Sequence, residues 1–182
     1  MMKITYEEMK PIFDNDKKLR GMSDDNGRLG QCGELIVERF AKRNGIGVEV
    51  SADFYDSKKD MTFITEDGSR LLVEVKTGAP HVSKKLNTFK DSQFTKLSTV
   101  DLVVIIMLNP HLVWKNYQNF RLADGTLGPG KVFALEKDKF KIYHDMPEKG
   151  KCSIPFSELG EPFAELDAPL QKYLQRFVSA AG

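Results

Sequence analysis

The segment Leu71–Gly78 (Leu-Leu-Val-Glu-Val-Lys-Thr-Gly) most constrains how this chain folds, because it is a short apolar strand carrying an acid and a lysine. Side chains of a strand alternate between its two faces, so Leu72, Glu74 and Lys76 share one face. Burying two ions in an apolar strand carries a large desolvation penalty. A metal ion or a bound anion beside the pair would account for that penalty. The alternative is an edge strand with a solvated ion pair.

The composition is that of an ordinary globular chain. Its 182 residues are 41% hydrophobic and 29% charged, with a formal net charge of +1. That length suffices for one filled core, so we expect a single domain over residues 1–182. With so little net charge, any surface for nucleic acid must be local.

Cysteine content and hydropathy indicate the compartment. Cys32 and Cys152 form neither a disulfide framework nor a metal-ligand spacing, which fits a reducing environment. The N-terminus lacks the apolar core of a signal peptide, and the apolar run Leu102–Leu108 is too short to span a bilayer. We therefore expect a cytoplasmic protein that does not contact membranes.

Hydrophobic periodicity predicts an α/β fold, a mixed central β-sheet flanked by helices, over a core of about residues 30–108. The remainder, about 110–182, is predicted to form a β-containing C-terminal extension. The core elements expected in chain order are a helix at Thr5–Leu19, a turn-rich link at Gly21–Gly30, a helix at Gln31–Asn44, strands at Gly47–Ser51, Asp60–Ile64 and Arg70–Lys76, a helix at Ser83–Leu97 and a buried strand at Leu102–Leu108. The extension is expected to contain short strands at Lys131–Leu135, Phe140–Tyr143 and Cys152–Pro155 and a helix at Pro169–Val178.

The acids of two neighbouring strands meet if the hairpin between them has a three-residue loop. A Glu66–Gly68 loop gives Gly68 the left-handed conformation that such loops need. Counting back from it sets Asp60 opposite Glu74, with Cβ atoms about 5 Å apart. A tighter two-residue turn would instead set Asp60 opposite Val75, on the other face. Both registers stay open at this point.

Two carboxylates this close repel each other unless a cation lies between them. Hard oxygen ligands without His or Cys nearby favour Mg²⁺, with Mn²⁺ as a substitute, over zinc. Such a metal holds a phosphate group and lowers the pKa of a bound water. Lys76 would lie beside that water, either assisting its deprotonation or stabilising the charge that develops on phosphorus.

Two predicted helices supply further candidates. Glu34 and Glu38 lie one turn apart on the second helix. Glu38 is placed to pair with Lys42 at the surface, whereas Glu34 follows Gly33, where a close backbone approach is feasible. Gln93 lies on the apolar stripe of the third helix. It is either a buried amide satisfied by backbone groups or a polar group aimed at the site.

Basic side chains cluster near the same elements. Local positive surface binds phosphate backbones in a salt-dependent way. For any one of these lysines, an ordinary solvated surface position is the alternative. The candidates for contact with nucleic acid are Lys58, Lys59, Lys84, Lys85, Lys90 and Lys96.

Four short motifs together resemble the PD-(D/E)XK nuclease superfamily: Glu34 on a helix, Lys59-Asp60, Glu74-Val75-Lys76 and Gln93-Phe94-Thr95-Lys96. The resemblance covers roughly residues 30–108 and implies a restriction-endonuclease-like core that binds a divalent metal. Lys59 departs from the pattern, which has a proline before the Asp. The site implied by the resemblance has Asp60, Glu74 and the Val75 carbonyl as metal ligands, Lys76 as the catalytic lysine, Glu34 as an auxiliary ligand and Gln93 as a polar site residue.

These features predict a Mg²⁺-dependent DNA endonuclease that hydrolyses phosphodiester bonds in double-stranded or branched DNA. Cutting both strands of a duplex at paired positions favours a homodimer. The main alternative is a non-catalytic nucleic-acid-binding module on the same fold, which needs no metal. A further alternative is a structural or interaction protein in which Glu74 and Lys76 form a solvated pair.

Overall fold

A computed structural model describes residues 1–51, 59–78, 99–108, 129–139 and 158–178 with their side chains, and residues 85–90 and 151–155 as backbone. The strands are β1 (Met2–Ile4), β2 (Gly47–Val50), β3 (Met61–Ile64), β4 (Arg70–Gly78), β5 (Lys85–Lys90), β6 (Leu102–Met107), β7 (Gly130–Glu136), β8 (Lys151–Pro155) and β9 (Ala164–Leu166). The helices are α1 (Tyr6–Asn15), α2 (Lys17–Gly21), α3 (Asp25–Arg43) and α4 (Ala168–Gln175).

Seven of these strands form one mixed sheet in the order β1-β9-β7-β6-β4-β3-β2. β2, β3 and β4 make an antiparallel meander, and β6 lies parallel to β4 on its other side. β7 and β9 continue the sheet antiparallel, and β1 pairs parallel with β9. The predicted α/β class with a mixed sheet and helices is confirmed. The C-terminal part of the chain adds two strands to that same sheet.

The helices pack on one face of the sheet, where α3 supplies the largest apolar surface. Its residues Ile36, Val37 and Ala41 recur at helical spacing and are buried against the sheet. The central strand β6 is apolar on both faces, because Val104 and Ile106 meet the helices while Val103 and Ile105 are equally buried on the other side. In the described part of the chain, no helix combines the length and apolarity required to cross a membrane.

The N-terminal helices differ from their predicted bounds for reasons of capping. The predicted helix Thr5–Leu19 is divided at Asp16, whose side chain accepts a hydrogen bond from the Leu19 N–H at 2.6 Å and so starts α2. The predicted link Gly21–Gly30 is wrong from Asp25 onward, because α3 begins there. Asp24 caps it by accepting from the Gly27 N–H at 2.6 Å.

The predicted helix Ser83–Leu97 is wrong over Lys85–Lys90, which form β5. This strand pairs antiparallel with the distant β8, with a register shift between Asn87 and Phe89. Asparagine, threonine and phenylalanine are poor helix formers, so a distant strand partner outweighs the local helical spacing. The helix that was predicted to carry Gln93 on its apolar stripe is therefore absent at its first positions, Lys85–Lys90.

Other predicted elements have mixed outcomes. The buried strand β6, the strands β7 and β8 and the closing helix α4 are confirmed with bounds shifted by a few residues. The predicted strand Phe140–Tyr143 lies outside the described residues. The three-residue strands β1 and β9 escaped prediction because so short a run carries no clear periodicity.

Cys32 gives a test of the packing of α3. Its side chain is fully buried, and burial raises the pKa of its thiol from 9.0 to about 12. The thiolate is the reactive species, so we expect Cys32 of a Cys152→Ser variant to resist a disulfide-exchange reagent at pH 8 and to react fully in denaturant. A raised folded-state pKa adds stability below the unfolded thiol's pKa, and this is lost as pH rises toward 12. Rapid labelling of the native protein would contradict this packing.

Candidate active site

The β3–β4 hairpin has the three-residue loop that brings the two strand acids together. The Thr65 N–H donates to the Ser69 carbonyl at 3.0 Å, and Gly68 has a φ of +81°. The ladder continues to the pair Met61–Val73. The predicted three-residue loop and the register of the ladder up to Met61 are confirmed, and Asp60 lies one residue beyond the last recorded pair, with its N–H bonded to the Val73 carbonyl.

The turn is fixed by its own acid. The Asp67 carboxylate accepts hydrogen bonds from the Thr65 hydroxyl and from the Ser69 N–H, the latter at 3.0 Å. The hydrogen bond from Thr65 is the main cause that lowers the pKa of Asp67 from 3.8 to about 2. The turn therefore keeps its charged acceptor at any pH above about 4. Below that, the lowered pKa means that its stabilising effect is lost as the pH falls toward 2.

Asp60 lies where the regular ladder of β3 ends, and its side chain takes part in the sheet. Its Oδ2 accepts a hydrogen bond from the Val75 N–H at 2.7 Å. Its own N–H donates to the Val73 carbonyl at 3.0 Å, and its carbonyl accepts from the Ser51 N–H at 3.2 Å. A carboxylate thus stands where a backbone acceptor would otherwise face Val75. These bonds hold the Asp60 carboxylate against the backbone beside Glu74.

Glu74 and Lys76 form a buried ion pair on an interior strand. The Lys76 Nζ lies 2.5 Å from the Glu74 Oε1, and the two side chains are 19% and 2% exposed. β4 lies between β3 and β6, so it is not an edge strand. The alternative of an edge strand with a solvated pair is therefore wrong.

Thr62 is a polar neighbour that sequence reasoning missed. It is fully buried in β3 and pairs in register with Leu72. Its position two residues from Asp60 puts it on the same face of the sheet as Asp60 and Glu74. Among the described residues its hydroxyl has no hydrogen-bond partner. Its spacing of two residues from Asp60 could have predicted this position from the sequence.

Glu34 lies on the opposite side of the sheet from the Glu74–Lys76 pair. The helix α3 approaches β4 at Gly33, where a Cβ atom would lie 1.8 Å from the Thr77 Oγ1. Thr77 faces away from Lys76, because neighbouring strand residues point to opposite faces. The Glu34 carboxylate is 3.7 Å from the Lys18 Nζ. Close approach at Gly33 is thus confirmed, while the ligand role of Glu34 stays a prediction.

The predicted surface pair of Glu38 and Lys42, which begins one turn beyond Glu34 on α3, is confirmed. The Lys42 Nζ lies 2.5 Å from the Glu38 Oε1, and the Lys42 side chain is mostly exposed. An exposed pair spaced four residues apart on a helix has an ordinary structural role. Glu38 is therefore a suitable control position for experiments on the buried acids.

The remaining predicted contacts are described only in part. Lys59 precedes Asp60, and its carbonyl lies 3.5 Å from the Ser51 hydroxyl. The backbone of Lys85 and Lys90 marks the two ends of β5. Outside the described residues lie Gln93 and the lysines Lys58, Lys84 and Lys96.

The donor set suits a hard cation that retains water ligands. Within the described ranges, no three His, Cys, Asp or Glu side chains converge to hold a metal. Glu74 of β4 and Asp60, the residue before β3, provide two carboxylates, and Mg²⁺ is typically bound by one or two carboxylates with water and substrate phosphate completing its shell. The pair fits that mode, whereas it offers none of the nitrogen or sulfur ligands that zinc prefers. Comparisons with protein families, curated proteins and solved structures give no match.

Proposed function

We propose that the protein is a Mg²⁺-dependent DNA endonuclease that hydrolyses phosphodiester bonds at Asp60, Glu74 and Lys76. The observation that carries the proposal is the buried Glu74–Lys76 pair, with the Asp60 carboxylate bonded to the N–H of Val75 between them. Replacing a buried ion pair by apolar residues often leaves a fold as stable or makes it more stable. A chain that retains such a pair beside a third ionisable group gains little for its fold, which favours a chemical role.

The order of elements also supports the proposal. α3 is followed by the antiparallel meander β2-β3-β4 and then by β6, which is parallel to β4. This is the order that the resemblance to PD-(D/E)XK nucleases implies for residues 30–108. It departs from that resemblance in the connection to β6, where β5 replaces the start of the expected helix. The roles of Gln93 and Glu34, DNA binding by the lysines and the homodimer accordingly remain predictions.

Asp60, Glu74 and Lys76 each have a separate role in the proposed reaction. A divalent metal bound by Asp60 and Glu74 would supply charge neutralisation at the phosphate and a water of lowered pKa. The hydrogen bond from Val75 holds the Asp60 carboxylate in one orientation, so this ligand is organised before substrate arrives. Lys76, whose ammonium contacts Glu74, would orient the attacking water or stabilise the charge that develops on phosphorus.

Cleavage of supercoiled plasmid in Mg²⁺, Mn²⁺ or EDTA tests the proposal, comparing the parent protein with Glu74→Gln and Lys76→Met. We expect cutting that requires metal and falls by about 100-fold or more in both variants, the scale for loss of a positioned catalytic group. Glu38→Gln is the matched control, because that acid lies at the surface with Lys42. It should cut at the parent rate.

Two results would reject the nuclease. Persistent cutting by a folded Glu74→Gln variant would remove Glu74 from the mechanism. Absence of cutting on plasmid, branched and single-stranded DNA, with DNA binding retained in EDTA, would favour the non-catalytic binding module. This module is the second candidate because the Lys76 ammonium contacts the Glu74 carboxylate directly and so neutralises its charge without a metal.

A further inference from the structure

A cavity of about 430 Å³ opens between α1, α2, the first turns of α3 and the end of α4. Three arginines and three aromatic rings line it, and we call it the arginine pocket. The helices that form it pack on the face of the sheet opposite to the Glu74–Lys76 pair. The residues that define the pocket are Arg20, Arg28, Arg176, Phe13, Tyr173 and Phe177.

Two of the three arginines of the arginine pocket have no ion-pair partner among the described residues. Within the described ranges, four arginines are each within ion-pair distance of an acid, and only Arg20 and Arg176 are not. Both of these line the pocket. The acid in the lining, Asp14, is itself paired with Lys10. In the part of the chain that the structure describes, two arginines of the lining therefore have no acid within ion-pair distance.

The third arginine is held in place by the chain. The Arg28 Nε donates to the Met22 carbonyl at 3.1 Å, and its NH1 lies 3.3 Å from the Asp25 carboxylate. These two contacts use only part of the five N–H donors of a guanidinium. Arg28 therefore keeps donors for a ligand in a position that is already fixed.

Aromatic rings orient Arg176. Its guanidinium carbon lies 5.1 Å from the centre of the Tyr173 ring and 5.8 Å from that of Phe177. Tyr173 in turn stacks on Phe13, with ring centres 5.2 Å apart and planes within 8°. A cation–π contact holds the guanidinium without consuming its N–H donors. The half-buried Tyr173 ring leaves some apolar surface at the cavity.

We propose that the arginine pocket binds the phosphate group of a nucleotide, either free or at the end of a nucleic-acid strand. Arginine guanidinium groups bind phosphate oxygens through paired N–H donors, and several of them converge here. The aromatic lining supplies the contact for the sugar or base attached to that phosphate. The inference does not rest on the proposed nuclease activity, because it uses no residue of the carboxylate site.

Isothermal titration of the full-length protein in EDTA tests the pocket with thymidine monophosphate, thymidine and inorganic phosphate. We expect thymidine monophosphate to bind, thymidine not to bind, and phosphate alone to bind more weakly. Arg20→Ala and Arg176→Ala should each weaken binding by about tenfold or more, the scale for a charge-assisted pair of hydrogen bonds. Lys42→Ala is the control, because it removes one exposed positive charge from the last turn of α3, far along the helix from the first turns that line the pocket, and should change nothing.

A single-stranded oligonucleotide with and without a 5′-phosphate identifies the source of the phosphate. Tighter binding of the phosphorylated strand, lost in Arg20→Ala, assigns the pocket to strand ends, and binding of thymidine monophosphate alone assigns it to free nucleotides. Arg176→Lys guards against misfolding, since it keeps the charge but loses the planar fork. It should weaken binding while the melting temperature stays unchanged. Failure of every phosphate ligand to bind, or equal binding by both alanine variants and the parent, overturns the proposal.

Discussion

Replacing Gly33 by alanine should destabilise the protein by about 2–3 kcal/mol, the scale for overpacking a filled interior. The added Cβ would lie 1.8 Å from the Thr77 Oγ1 and 3.1 Å from the Thr77 Cβ. Rotating the threonine side chain moves the hydroxyl but leaves its Cβ in place. The remaining 3.1 Å contact then requires α3 and β4 to separate by a few tenths of an ångström. Equilibrium unfolding in urea measures the difference in the free energy of unfolding.

Gly30→Ala is the matched control for this prediction. Gly30 lies one turn earlier in the same helix, and an added Cβ there meets no atom within 4 Å. Since alanine is the better helix former, we expect this change to stabilise the protein by about 0.5–1 kcal/mol. Removing the hydroxyl with Thr77→Ala should recover part of the loss caused by Gly33→Ala. Similar effects of the two glycine substitutions would contradict the close packing of α3 on β4.

Lys76→Met should destabilise the protein by about 3 kcal/mol or more, the scale for removing one partner of a buried ion pair. The substitution keeps an unbranched apolar side chain of similar length but leaves the Glu74 carboxylate in the interior without the ammonium beside it. The Glu74 side chain is almost fully buried, so water does not solvate its carboxylate once the ammonium is removed. Urea unfolding at pH 7 measures the effect.

A double-mutant cycle separates the ion pair from the packing of its two side chains. Glu74→Leu with Lys76→Met should be much less harmful than the sum of the single changes, because no charge remains buried. The reference cycle is Glu38→Ala with Lys42→Ala, an exposed pair on α3 for which we expect a coupling of about 0.3–0.5 kcal/mol. A coupling at Glu74 and Lys76 no larger than that of the surface pair would show that the pair is effectively solvated.

The arrangement of the strand acids could be predicted because it depends on local chemistry. The glycine at position 68 selects the loop, the loop sets the register, and the period of two along a strand then fixes which side chains share a face. The hydrogen bond from the Val75 N–H to Asp60 could not be predicted in this way. It arises where the ladder of β3 ends, and no sequence pattern marks that point.

The failures share a cause in contacts between distant parts of the chain. The spacing of apolar residues predicts a helix where β5 lies, but pairing with the distant β8 determines its conformation. The ion pair of Glu34 with Lys18 likewise depends on a distant contact, because Lys18 lies on a helix whose boundary is set by the Asp16 cap. The arginine pocket combines residues from both ends of the chain, so composition and periodicity give no sign of it.

The most direct test of the central claim is the rate of Mg²⁺-dependent plasmid cleavage by Asp60→Asn relative to the parent protein. Asparagine keeps the shape of the side chain and a carbonyl oxygen for the Val75 N–H, so the hairpin should persist while the charge for a metal is lost. We expect cutting by the parent in Mg²⁺ but not in EDTA, with the rate reduced by about 100-fold or more in the variant at an unchanged melting temperature. Cutting by Asp60→Asn at the parent rate would contradict it.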